Sequence, residues 1–145
     1  MSCNKCCCSK VVFSGSSNAT QALGLNDTLA FNKNISANVD FANNSVTLCK
    51  PGIYLVNVSA SGSMTGTTAD NIIIQLQRNG VNVDGAYRSV ANSTATTDIV
   101  NLSITGIIRV DETCCPLNDQ SATITVANTG AEATYVNVTI TVVRL

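Results

Sequence analysis

Seven cysteines carry most of the reactive chemistry in this sequence, and four of them, Cys3, Cys6, Cys7 and Cys8, crowd its start. Cys49 precedes a Pro-Gly turn, and Cys114 and Cys115 stand side by side before Pro116. An odd count leaves at least one cysteine without a partner in its own chain, which favours disulfides between chains. A structural zinc would use Cys3-x-x-Cys6, which has a ligand spacing, but there is no second such pair and no histidine to complete the set. The sequence is therefore expected to hold no metal and no other cofactor. Redox catalysis would place the Cys-x-x-Cys pair at a strand-to-helix junction, and no helix is predicted. The plainest alternative leaves residues 1–9 as a reduced, disordered tail.

The other reactive side chains are dispersed. Without histidine there is no Ser-His or Cys-His dyad. Asp27, Asp40, Asp70, Asp84, Asp98, Asp111, Glu112, Asp119 and Glu132 fall at turns, and the neighbours Asp111 and Glu112 would point to opposite sides of a strand end. An enzyme is not expected. With 8 basic and 9 acidic residues the net charge is −1, which supplies neither the footprint of a nucleic-acid binder nor a polybasic membrane patch. So small a net charge gives little self-repulsion and favours association. Sequons such as Asn57-Val-Ser59 and Asn137-Val-Thr139 lie in strands and follow from a composition rich in Asn and Thr. The opening MSCNKCCCSK has no apolar core of a signal peptide, and no later stretch is long and apolar enough to span a bilayer. Disulfides without an export signal are at odds with a reducing cytosol, and release by cell lysis would resolve the conflict.

The elements that must position these residues read as strands. Pro51 and Gly52 reverse the chain, and a strand runs from Ile53 to about Ser61 with Tyr54, Val56, Val58 and Ala60 on its core face. Ile53 and Leu55 are apolar on the other face. Before it, strands are expected at Lys10 to Ser14, Thr28 to Phe31, Ile35 to Phe41 (alternating Ile35, Ala37, Val39, Phe41) and Ser45 to Cys49. The stretch between the first two reads as a loop through Gly24, and that from Gly62 to Ala69 as another. Asn79-Gly80 is a hairpin signal joining the strand of Ile72, Ile74 and Leu76 to one starting at Val81. Past an Ala91 to Thr97 loop, Val100, Leu102, Ile104, Gly106, Ile108 and Val110 share one face of a long strand. Asp111 to Asp119 is a loop, Ala122, Ile124 and Val126 begin the next strand, and Val136, Val138, Ile140 and Val142 are expected to face inward in the last. Ten short strands with turn chemistry at nearly every gap mean an all-β sandwich or jelly roll. Residues 1–9 read as a flexible connector arm and residues 10–145 as the head.

The PGIY strand, the LQRNGV hairpin from Leu76 to Val81 and the terminal strand VNVTITVVRL together resemble the C1q/TNF-like jelly-roll family, in particular the bacterial heads of collagen-like filaments on spore exosporia. The chain lacks a Gly-X-Y stalk, and its cysteine-rich arm resembles the N-terminal connectors of endospore appendage subunits. The resemblance implies a homotrimer. In the family's topology Ile53, Leu55, Ile107 and Val143 gather at one end of a single sheet, opposite its core face, as a trimer interface; the alternative is that the N-terminal strand covers them. It also brings the Cys49 to Gly52 loop, the Cys114-Cys115 loop and both termini to one end, so that Cys3, Cys6, Cys7, Cys8, Cys49, Cys114 and Cys115 are candidates for intersubunit disulfides.

The function this implies is a structural subunit of a spore-surface fibre or appendage, in which homotrimeric heads are crosslinked to identical chains or to a spore-coat or exosporium anchor protein, without nucleic acid or membrane as partner. The assembly would form on the spore surface before or at mother-cell lysis. The alternative is a phage virion head fibre or decoration protein, or a carbohydrate-binding adhesive tip, using the loops at Ala91 to Thr97 and Gly62 to Ala69. An arm of this length reaches at most roughly 30 Å, and disulfides need Cα atoms within about 7 Å, so spacing leaves the connectivity open.

Overall fold

The computed structural model of the chain describes residues 10–65, 70–92, 98–111 and 121–145. Eleven strands form where alternation and turn residues coincide. They are β1 (Val12–Ser17), β2 (Gln21–Leu23), β3 (Asn32–Ala37), β4 (Asp40–Ala42), β5 (Ser45–Leu48), β6 (Gly52–Met64), β7 (Asp70–Arg78), β8 (Val81–Asn92), β9 (Val100–Val110), β10 (Ala122–Asn128) and β11 (Ala133–Arg144). One sheet has the order β3-β1-β11-β6-β9, with β2 also pairing β11, and the other β4-β5-β10-β7-β8. All pairings are antiparallel. This is an all-β jelly-roll sandwich, with eleven strands where ten are expected.

The two sheets bury the alternate residues that face each other. Tyr54, Val56 and Val58 of β6, Ile104 and Ile108 of β9, and Ile140 and Val142 of β11 pack against Val46, Leu48, Ile72, Ile74, Leu76, Ile124 and Val126 of the second sheet. Gly106 sits on the inner face of β9, where an added Cβ would lie 2.7 Å from Leu76 Cδ2 and 3.2 Å from Ala86 Cβ. A larger side chain there would have to displace the end of the Leu76 side chain. The aromatic rings of Phe13, Phe31 and Phe41 close one flank, with centroids 5.2 to 6.0 Å apart.

Two ends of the sandwich can be defined by register. At the base, Gly52 faces Val110, Ala122 faces Leu48, the Asn79-Gly80 turn joins β7 to β8, and Leu145 N–H donates to the Ile53 carbonyl at 2.8 Å. At the crown, Gly62 faces Val100, Asp70 faces Asn92, and Thr65 N–H donates to the Glu132 carbonyl.

Several strands differ from their expected course, each for a local reason. The Ile35 to Phe41 alternation is broken at Asn38, whose φ of 60° ends β3 and redirects the chain into the other sheet as β4. Ile35 is consequently exposed, while Phe41 turns to the core. The loop through Gly24 contains β2, and the expected strand at Thr28 to Phe31 reduces to one bridge between Thr28 and Ala127, although Leu29 and Phe31 are buried. Gly62 belongs to β6, which continues to Met64. The first strand begins and ends later than expected, at Val12 and Ser17. In β11 a bulge at Asn137, with φ 54°, shifts the alternation by one, so Tyr135 rather than Val136 fills the core.

The bulges and turns are satisfied by buried amides. Tyr135 OH donates to Asn128 Oδ1 at 2.8 Å, and Asn128 Nδ2 reaches the carbonyls of Leu23, Gly24 and Ala131. Burial pushes the Tyr135 phenol well above the ordinary tyrosine range. In β8, residues 83–86 have no partner across the ladder, and the Gln75 side chain fills the gap by donating to the carbonyls of Val83 and Ala86.

Candidate functional site

The outer face of the first sheet carries an apolar row that crosses all five strands of the main order. Ala37 faces Val12, Val12 faces Val143, Val143 faces Leu55, and Leu55 faces Ile107. Each pair is the nearest cross-strand neighbour on that face, so the side chains form one continuous stripe. One step nearer the base, Ile53 lies between Arg109 on β9 and Leu145 beyond β11. Exposure is high for side chains this apolar: 54% for Ile107, 47% for Ile53, 37% for Val143 and 72% for Leu145. Contiguous exposed apolar surface of this kind marks a contact site, whereas scattered single residues do not.

The register therefore brings together all four of Ile53, Leu55, Ile107 and Val143. The N-terminal strand does not lie over them. It lies beside β11 in the plane of the sheet and extends the row through Val12. Val12, Ala37 and Leu145 were not singled out from the sequence, because their membership depends on which strands flank β11. Val12 alternates with the buried Val11 and Phe13, and that alternation is the signal that places it on the outer face.

Beyond this stripe the same face changes character. The next rows toward the crown are Ser14, Thr141, Asn57 and Thr105, then Ser16, Thr139, Ser59 and Ser103. Thr105 Oγ1 donates to Asn57 Oδ1 at 2.9 Å, Ser61 Oγ donates to Asn101 Oδ1 at 2.9 Å, and the Ser59 and Thr139 hydroxyls are 2.6 Å apart. These polar side chains are partly satisfied within the face, so covering them costs less than covering bare hydroxyls. At the base rim Arg109 pairs with Asp111 at 2.6 Å, both well exposed.

Of the cysteines, Cys49 is half-buried and directly follows β5, at the base. Cys3, Cys6, Cys7, Cys8, Cys114 and Cys115 lie outside the described residues. The described residues that flank them, Lys10 on one side and Asp111 and Ser121 on the other, join strands that end at the base. Among the described residues no three Cys, Asp or Glu side chains gather as a metal site would require.

The architecture can be compared with known proteins. No family model matches the sequence, and no curated protein matches it. Solved structures do match in shape. The crystal structure of murine APRIL at pH 5.0 superposes with a TM-score of 0.63 over 94% of this chain and 100% of that one, at 13% identity. The crystal structure of the same murine protein at pH 8.0 gives a TM-score of 0.56 at 14% identity and the same coverage. The fold is a TNF-like jelly roll. At such identity the likeness concerns the fold alone.

Proposed function

We propose that the chain is a self-assembling structural subunit: a head that associates as a homotrimer through the outer face of its first sheet and is then fixed covalently to neighbouring subunits. The observation that carries this reading is the apolar row from Ala37 to Ile107, which needs a partner surface. A TNF-like fold supports closed self-association, since folds of this type are built as homotrimers. The long edge strand β9 adds to the case, because an eleven-residue edge without proline is an aggregation hazard unless a specific neighbour covers it.

The covalent step belongs to the cysteines. Cys49 and the cysteines of residues 1–9 and 112–120 supply it, by disulfides from the arm of one subunit to another. We place the assembly on a spore surface, as a fibre or appendage, on the strength of the cysteine-rich arm and its likeness to appendage connectors. Sedimentation of the reduced protein tests the head: a trimer mass is expected, and Leu55→Asp should give a monomer that keeps its β-sheet spectrum. A wild-type monomer at tens of micromolar would reject the interface. Non-reducing gels test the arm separately. A ladder should collapse with reductant, and Cys→Ser at Cys6, Cys7 and Cys8 should abolish it.

A further inference from the structure

The second sheet has an outer face too, and at its edge β8 bends out of the ladder. Ser89 faces Ile73, Tyr87 faces Gln75 and Asn82 faces Gln77, so the single residue Leu76 of β7 stands against residues 83–86 of β8. Holding that excursion takes a Gly85 with φ 74° and the whole Gln75 amide, which donates to the carbonyls of Leu76, Val83 and Ala86. The result is a juxtaposition. Asn82 and Tyr87, which the bulge separates in sequence, lie about 7 Å apart on one face, the spacing of alternate residues in a strand.

Tyr87 is the only exposed aromatic side chain of the protein. The sequence has three Tyr, three Phe and no Trp. Tyr54, Tyr135, Phe13 and Phe31 are buried and Phe41 packs against the core, whereas Tyr87 is 56% exposed. Strand propensity accounts for a tyrosine on a sheet. It does not account for the neighbours this one has. Gln77 Nε2 donates to Asn82 Oδ1 at 3.0 Å, which orients both amides and leaves Gln77 Oε1 as an acceptor and Asn82 Nδ2 as a donor, neither bonded elsewhere among the described residues. On β10, β7 and β8 this face carries no charge, from Thr123 and Thr125 across to Ser89. Asp84 is exposed on the bulge, and Arg88 faces Ile74 on the other side of the strand.

From this we infer that the β7–β8 edge binds a neutral glycan, a pyranose ring lying on Tyr87 while its hydroxyls pair with Gln77 and Asn82. A sugar with an apolar C–H face and a rim of hydroxyls matches an aromatic platform bordered by an oriented donor and acceptor. Other ligand classes match less well. Nucleic acid needs cations that this face lacks, and a protein partner needs a wider apolar patch than Tyr87 and the half-buried Ile73 provide. Asp84 repels an acidic sugar. The site is shallow, so one head holds a sugar weakly, and heads carried together on an assembly gain by avidity. The inference goes beyond the proposed self-assembly and uses the opposite sheet, which the trimer face leaves uncovered.

The test passes the full chain, kept reduced, over polymers bearing glucose, galactose, mannose, N-acetylglucosamine, N-acetylgalactosamine, rhamnose or sialic acid. At least one neutral polymer should retain it, and an excess of the same free sugar should release it. Tyr87→Ala should weaken retention about tenfold, and Tyr87→Phe, which keeps the ring, should retain most of it. Gln77→Ala with Asn82→Ala should lose retention while keeping the β-sheet spectrum and the sedimentation of the wild type. No neutral polymer bound, retention by sialic acid alone, retention that free sugar does not compete, or retention unchanged in Tyr87→Ala would overturn the inference. Sedimentation in the same buffer reports on the trimer separately.

Discussion

Asn137 and Tyr135 show how single residues decide which side of a strand is buried. Asn137 holds φ 54° in the β11 bulge, a conformation that costs a β-branched residue about 1–2 kcal/mol. Asn137→Val should lower stability by about that amount in urea titration, and Asn137→Gly should be close to neutral. Tyr135 is fully buried against Asn128, and its phenol titrates above the ordinary value of 10.0. The folded state thus keeps its proton where the unfolded chain has lost it. The stabilisation is complete below pH 10 and drains away as the pH rises above it. Tyr135→Phe should make the alkaline limb of a stability profile shallower, while costing about 1–3 kcal/mol at neutral pH by leaving the Asn128 acceptor unmet.

At the scale of elements, the β7–β8 hairpin carries its irregularity inside itself. Gln75 donates to the carbonyls of residues that have no ladder partner, so Gln75→Leu should cost about 1–3 kcal/mol. Hydrogen exchange should then accelerate in residues 81–88 before it does in β6 or β9. The neighbouring Asn79-Gly80 turn was legible from its dipeptide, and so were β6 and β9 from strict alternation. Legibility failed where one residue overrode a pattern. Asn38 interrupts a run whose apolar spacing reads as continuous, and Asn137 shifts a run by one place without altering its composition. β2 has only three residues, too few for any period to declare itself. Of the outer-face stripe, Ile53, Leu55, Ile107 and Val143 were readable as apolar residues on polar faces. Val12, Ala37 and Leu145 became members only through pairing across strands distant in sequence.

For the whole molecule, an exposed apolar stripe and a stable fold are reconciled if association is part of the folded state. Thermal midpoints of the reduced wild type should then rise with protein concentration, because only the folded head binds its copies, and those of Leu55→Asp should not. A concentration-independent midpoint in both would argue against the interface. Topology has a further outcome. β11 is the eleventh strand to be made and is nevertheless the middle of its sheet, touching β1, β2 and β6. At about 5–20 residues per second on a ribosome, the earliest strands wait on the order of 10 s for the neighbour that completes them. Nascent chains of this protein must spend that interval as apolar ribbons awaiting their seam, so the cell that makes it in quantity has reason to shield them until translation is finished.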